Sequence, residues 1–381
     1  MAAFLFPALN SLNATHCSAF DSLICIMLLS LIVRSKLMER NLAPTIYVRK
    51  QKPKKSVVFD TYWEFAVKRQ DAFYARLSGA AAPWSDDPII QTYKFTNAYR
   101  ASDRVSQYLI KNVIYSDNWS TTDTFLRILL FKLFNKIETW ELLESQFGEV
   151  SLKTFDVENY SAVLDNAMAA GGRIYSAAYI MPSGSRKKYG HIKKHRFHLL
   201  LINNLIKDGF PQEVSTVQSM QEGYELLLGI ESVGKFLAYQ FITDFNYSEI
   251  IDFQESDFVV PGPGALDGIK KSFVSLGEYA PEDVIRMMFD EQEEQFERLG
   301  LEFRSLWGRP LQLIDCQNLF CEVDKYSRVA HPEVAGISGR TRIKQTFKPR
   351  IKDLQVWYPP KWGINDKINY DSTPREGVLA L

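Results

Sequence analysis

Leu227-Leu228-Gly229-Ile230-Glu231-Ser232-Val233-Gly234-Lys235-Phe236-Leu237-Ala238 decides how this chain is read. An apolar helix end, a Gly-bearing turn and a new apolar helix spell a helix-hairpin-helix. Backbone N–H groups at the start of the second helix can hold a phosphate without reading base sequence. Ser232, Val233, Gly234 and Lys235 are therefore candidate backbone contacts to nucleic acid. About twenty residues on, Ser256-Asp257-Phe258-Val259-Val260-Pro261-Gly262-Pro263-Gly264-Ala265 sets a lone acid before a stiff Pro/Gly loop. Asp257 there can cap a turn, or serve as a desolvated catalytic carboxylate. Gly262 and Gly264 permit either a sharp turn or close approach of backbone to a ligand.

The rest of the chain is consistent with a mainly α fold. Phe59, Tyr62, Trp63, Phe65 and Ala66 recur at helical spacing, as do Ile90, Tyr93, Val105, Tyr108 and Leu109. Thr122–Phe134, Trp140–Phe147 and Asp156–Ala170 read as further helices. Period-2 runs are few: Arg173 to Met181 and Phe258–Val260 are the candidates for minor strand content. A domain is expected over residues 57–347, after an N-terminal extension and flexible basic arm (1–56) and before a C-terminal tail (348–381). Trp357 to Trp362 in that tail is apolar enough to fold back on the body.

The 381 residues are 46% hydrophobic and 13% aromatic, enough for a large core. Lys plus Arg and Asp plus Glu both number 45, so any contact with nucleic acid rests on local patches. The strongest patch is Arg186 to Arg196, with Lys187, Lys188, Lys193 and Lys194 as its candidate DNA contacts. Cations at a helix start oppose the helix dipole unless an anion is bound. Cys17, Cys25, Cys316, Cys321 and the histidines make no metal spacing, so no metal or cofactor is expected and a reducing, intracellular setting fits. The apolar run Leu23–Val33 is shorter than the roughly 20 residues of a membrane span and lacks a basic segment before it. A membrane role is not expected, with a signal anchor as the alternative. No G-x-x-x-x-G-K-[S/T] string occurs, which rules out P-loop phosphoryl transfer by these residues.

Two more groups carry chemistry. Arg100 and Arg104, beside Asp103, suit bidentate phosphate recognition, or else a buried Arg–Asp network. Glu322, Asp324, Lys325 and Tyr326 follow an apolar helix. Glu322 and Tyr326 share a helix face and can line a cleft or anchor that helix in the core, and Glu322 and Lys325 are candidate substrate or phosphate contacts.

Several strings in one order resemble a known family. They are Phe65-Ala66-Val67-Lys68-Arg69, Pro83-Trp84-Ser85-Asp86-Asp87-Pro88-Ile89-Ile90, Lys94-Phe95-Thr96-Asn97-Ala98-Tyr99-Arg100-Ala101-Ser102-Asp103-Arg104, Gly229 to Ala238, Asp257 to Gly268, and Gln317-Asn318-Leu319-Phe320-Cys321-Glu322-Val323-Asp324-Lys325-Tyr326. Together they resemble the alpha-glutamyl/putrescinyl thymine pyrophosphorylase family, also called the helical domain of 5-hydroxymethyl-deoxyuridine DNA kinases. The resemblance implies a helix-hairpin-helix DNA glycosylase-like fold. It implies group transfer at the 5-methylene of a hypermodified thymine in DNA, with an amine-bearing small molecule as donor and the base flipped from the duplex. The same order, hairpin then acid, is how such glycosylases place their clamp and catalytic aspartate, which points to Asp257. The chain departs from that pattern at Ser232, where a glycine is usual, and at Phe236, where bifunctional glycosylases carry their Schiff-base lysine. Base excision and non-catalytic reading of a modified base remain the competing readings. Loss of DNA base, a mass-shifted base, or binding that survives without Asp257 separates the three.

Overall fold

The computed structural model describes residues 50–177, 181, 183–184, 192–349 and 354–369. Its first long helix, α1 (Val58–Leu77), sits where the aromatic spacing places it. Phe59, Tyr62, Trp63, Phe65 and Phe73 are each 2% exposed or less. Side chains three and four apart share a face, so this spacing turns one wide stripe into the core. Asp87 caps the short α2 (Pro88–Thr92) by accepting the N–H groups of Ile89 and Ile90. A 3-10 turn (Arg100–Ser102), α3 (Arg104–Tyr108) and a π-helical turn (Leu109–Ile114) follow. Buried Arg127 fixes that wide turn by donating to the carbonyls of Val113 and Asn112.

Helices α4 (Thr121–Phe134), α5 (Ile137–Phe147) and α6 (Val157–Ala169) match the sequence reading within a few residues. Ser120 and Asp156 cap α4 and α6 with their side chains. Then come α7 (Lys194–Lys207), α8 (Phe210–Thr216), α9 (Met220–Leu228) and α10 (Lys235–Phe245). The hairpin connects α9 and α10. After the Pro/Gly loop run α11 (Pro263–Ser272), α12 (Pro281–Asp290), α13 (Gln292–Arg298) and the long α14 (Leu313–Ala330). Helix α11 lies hard against α14: a Cβ at Gly268 would sit 2.0 Å from the carbonyl oxygen of Phe320. Only a residue without a side chain allows that approach.

The fold is mainly α, with a two-stranded antiparallel ribbon, β1 (Lys54–Lys55) on β2 (Phe273–Ser275). That ribbon lies elsewhere than the sequence placed its strands. Phe258–Val260 is irregular, because Phe258 packs on Tyr224 and Tyr239 and no strand pairs with it. Of the other candidate, residues 173–177 are irregular and 178–180 lie outside the described residues. The ribbon also pins the end of the basic arm, since Gln51 accepts the N–H of Glu278 and Lys55 pairs with Phe273.

The described residues from 51 onward form one compact unit. The segment around Trp357 belongs to it: Tyr358 is wholly buried and its hydroxyl lies 2.8 Å from Ser102 Oγ. Lys361 donates to the carbonyls of Ser248 and Ile251. Among the described residues no helix is long and apolar enough to cross a membrane, and no group of His, Cys, Asp and Glu is arranged to hold a metal.

Candidate functional site

The hairpin turn keeps the left-handed residue that such a turn needs. Ser232 occupies it at φ 69°, so serine stands in a glycine conformation. Gly234 caps α10 with extended backbone and no side-chain cap, which leaves the first N–H groups of α10 to other acceptors. A Cβ at Gly234 would meet nothing within 4 Å. The face of Phe236 closes on Gly262, where an added Cβ would lie 2.9 Å from the ring. Gly262 N–H also donates to Gln317 Oε1 (3.2 Å). Gly264 comes as close to Cys321, with Sγ 3.1 Å from the position of a Cβ. Tertiary packing thus brings the hairpin helix, the Pro/Gly loop and one face of α14 to a single place.

From that face of α14 a polar chain runs to the segment before the 3-10 turn. Glu322 accepts the N–H of Thr96 (2.9 Å) and pairs with Lys325 Nζ (2.7 Å). Arg69 of α1 donates to the carbonyl of Thr96 and to Asn97 Oδ1, both at 2.9 Å. Asn97 N–H donates to Asp103 Oδ1 (2.8 Å), and Asn97 Nδ2 to the carbonyl of Ser102 (2.7 Å). Lys325 stands over the Phe95 ring at 4.7 Å. Asp103 is the unusual member. Among the described residues no cation lies within 4 Å of its carboxylate and its second oxygen has no hydrogen bond. Burial pushes its pKa up to about 7, and Glu322 adds to that; the Asn97 N–H and the charges of Arg69 and Arg100 work against it. A carboxyl group poised near neutrality beside a fixed carboxylate can take up or give a proton at working pH.

The structure separates the other candidates. Arg100 is 4% exposed and lies in the core. Its side chain donates to Gln240 Oε1 (3.1 Å), the Tyr247 hydroxyl (3.0 Å) and Asp244 Oδ1 (2.8 Å). Lys132 Nζ meets the other Asp244 oxygen at 3.1 Å. The buried-network reading of Arg100 therefore describes its place, with Asp244 rather than Asp103 as the acid. Arg104 is exposed at the start of α3. Asp257 is exposed, and among the described residues no hydrogen bond or ion pair joins its side chain to the polar chain. Arg286 holds its loop by donating to the carbonyls of Ser256 and Asp257. Asp324, between Lys271 (3.0 Å) and Arg328, anchors α14 to α11.

Lys187 and Lys188 lie outside the described residues. At the described end of that block, Lys193 and Arg196 face acids of α6. Lys193 pairs with Asp165 (2.6 Å), Arg196 with Glu158, and Lys194 stands over the Tyr175 ring (4.6 Å). The sequence reading passed over Arg69, Thr96, Asn97 and Gln317 as site residues. The available signal was their presence in three of the strings that carried the family resemblance, with polar side chains flanked by aromatic ones.

Residues 56–336 match the family described as 5-hmdU DNA kinase, helical domain. A 5-hmdU DNA kinase of Bacillus phage SP10 is 27% identical over 288 residues, which are 71% of this chain and 45% of that protein. The chain thus spans less than half the length of this relative. No solved structure matches.

Proposed function

The chain belongs to the family of 5-hmdU DNA kinase helical domains, and from that premise we propose that it acts on a 5-hydroxymethyluracil-type base in DNA. The observation that carries this reading is the extent of the match. Residues 56–336 include every member of the polar chain from Arg69 to Lys325, together with the hairpin and the Pro/Gly loop.

The reaction proposed is substitution at the 5-methylene carbon. The bond from that carbon to a phosphate or pyrophosphate oxygen breaks, a bond to an amine nitrogen forms, and the amine gives up a proton. Asp103 suits the proton's acceptor, since its carboxyl titrates near neutrality and one oxygen is open. Glu322 and Lys325 fix the Thr96 backbone beside it, and Arg69 holds the Thr96–Asn97 peptide from the other side. The activating phosphate has to arrive on the substrate, because these 381 residues hold no P-loop string. The N–H groups at the start of α10, behind Gly234, suit a backbone phosphate of the same strand. Asp257, the acid expected from the hairpin-then-acid order, is the alternative proton acceptor in this proposal.

The test is nucleoside mass spectrometry. DNA bearing phosphorylated or pyrophosphorylated 5-hydroxymethyluracil is incubated with the protein and an amine such as putrescine, then digested. A nucleoside heavier by the amine and lighter by the leaving group supports the proposal. Abasic sites would show base excision instead, and unchanged nucleosides with every amine offered would remove the transfer reading.

A further inference from the structure

Beyond α14 the described chain runs as an extended strap rich in exposed cations. From Val334 to Lys352 the sequence holds Arg340, Arg342, Lys344, Lys348, Arg350 and Lys352 and no acid. Arg340, Arg342, Lys344 and Lys348 are exposed, and none has a carboxylate within 4 Å among the described residues. The strap follows a fixed course. Ser338 N–H donates to Asp267 Oδ1 (2.7 Å), and Arg328 donates to the carbonyl of Arg342 (3.0 Å). Lys94 N–H donates to the carbonyl of Gln345 (3.0 Å), and Phe347 N–H to that of Thr92 (2.9 Å). Ile343 packs on the core and Phe347 on Trp84, at 6.1 Å between rings.

The acids nearby are committed elsewhere. Asp87 serves Lys68 and Tyr326, Glu322 serves Lys325 and Thr96, and Asp267 serves the strap's own backbone, with Arg340 near enough to help hold its carboxyl below the usual range. In extended chain Arg342 and Lys344 are about 6–7 Å apart on one side, roughly two base steps along one nucleic acid strand. Residues 92–94, to which the strap is bonded, lead directly into Thr96 and Asn97 of the polar chain. Exposed Lys94 adds a further cation at that junction. The basic block Lys193–Arg196 offers the opposite case, since its cations already face Asp165, Glu158 and a tyrosine ring.

We propose that the strap from Arg340 to Lys348 is the docking surface for the phosphate backbone of DNA, alongside the polar chain at Thr96 and Asn97. The proposal rests on the modified-base reading for its choice of DNA, but its test does not use the modified base. The full chain and the variant Arg340→Ala/Arg342→Ala/Lys344→Ala/Lys348→Ala are titrated with a fluorescent 20-base-pair duplex of ordinary bases across a range of NaCl concentrations. The slope of log affinity against log salt should fall by about 0.9 for each lost contact, so by roughly 3 to 4 in all, with at least tenfold weaker binding near 100 mM salt. A control with the same loss of charge, Lys111→Ala/Lys153→Ala/Lys207→Ala/Lys270→Ala, should change the slope by less than one. Arg340→Lys/Arg342→Lys should keep the slope, because charge is what is read. Thermal midpoints recorded alongside should stay close to wild type, since these side chains are exposed and none holds a carboxylate within 4 Å among the described residues.

Equal losses in the strap variant and the control would overturn the proposal, as would an unchanged slope in the strap variant. Wild-type protein that ignores the duplex at low salt yet binds phosphatidylserine vesicles through the strap would also overturn it, giving the surface to a membrane. Strap-dependent duplex binding without any transfer to a modified base would support the surface and sink the reaction proposed above.

Discussion

The ion triad around Asp244 tests whether Arg100 belongs to the core or to a phosphate. Asp244 is wholly buried, and its two oxygens face Arg100 Nη2 at 2.8 Å and Lys132 Nζ at 3.1 Å. The triad carries two positive charges and one negative. Replacing Arg100 with Met leaves Lys132 and Asp244 as a neutral pair but strips partners from Gln240 and Tyr247. Each buried polar group left alone costs about 1–3 kcal/mol, so Arg100→Met should lose roughly 3 kcal/mol. Asp244→Asn keeps the shape yet leaves two buried cations facing a neutral amide. Breaking a buried pair this way costs roughly 3–5 kcal/mol, and here two pairs break together, so this variant should be the less stable. At about 1–2 °C per kcal/mol for a domain of roughly 300 residues, the midpoints should fall by roughly 3–6 °C for Arg100→Met and further for Asp244→Asn. Urea unfolding gives the free energies, and the double variant should lose less than the sum of the singles. Duplex affinity measured well below both midpoints should keep its salt slope. If Arg100→Met unfolds like wild type and its salt slope drops by about one, Arg100 is a phosphate ligand and the core assignment fails.

Asp103→Asn should abolish turnover, and the wild-type rate should rise with pH through about 7 as Asp103 ionises. If Asp257→Asn is the variant that loses turnover and Asp103→Asn the one that keeps it, the proton passes through the exposed acid. The same raised pKa has a stability consequence. The folded state holds the Asp103 proton that the unfolded chain releases near pH 4, so stability should fall as pH rises from about 4 to about 7. Asp315, also pushed up to about 7 by burial and by Glu255, adds to this fall, and urea midpoints of Asp103→Asn should show it reduced. Gly268→Ala should lose several kcal/mol, as overpacking a rigid contact typically costs about 1–3 kcal/mol and this Cβ meets backbone at 2.0 Å; a midpoint within 1 °C of wild type would contradict the helix contact. Gly234→Ala meets open space and should fold normally, so weaker duplex binding in it, with Lys235→Ala unaffected, would mark a backbone phosphate clamp.

The sequence by itself determined the helices. Aromatic residues at helical spacing placed α1, the stretches read as further helices placed α4, α5 and α6 within a few residues, and the Gly-bearing string placed the hairpin between α9 and α10. These signals are local, because a helix satisfies its own backbone and shows its buried face as a period. It also held the segments of the site, as strings recognisable by their order. What it did not hold was which polar residue is buried and what it meets. Arg100 and Arg104 look alike in a line of letters, yet one lies under Asp244 and the other faces solvent. Asp103 owes its raised pKa to burial and to Glu322, which is more than two hundred residues away. The Arg186–Arg196 block reads as the strongest basic patch, yet the fold supplies acids to its described end, while the exposed cations of the strap after α14 have no carboxylate within 4 Å among the described residues. Charge pairing and desolvation depend on distances between elements, and those distances are set by packing rather than by neighbours along the chain.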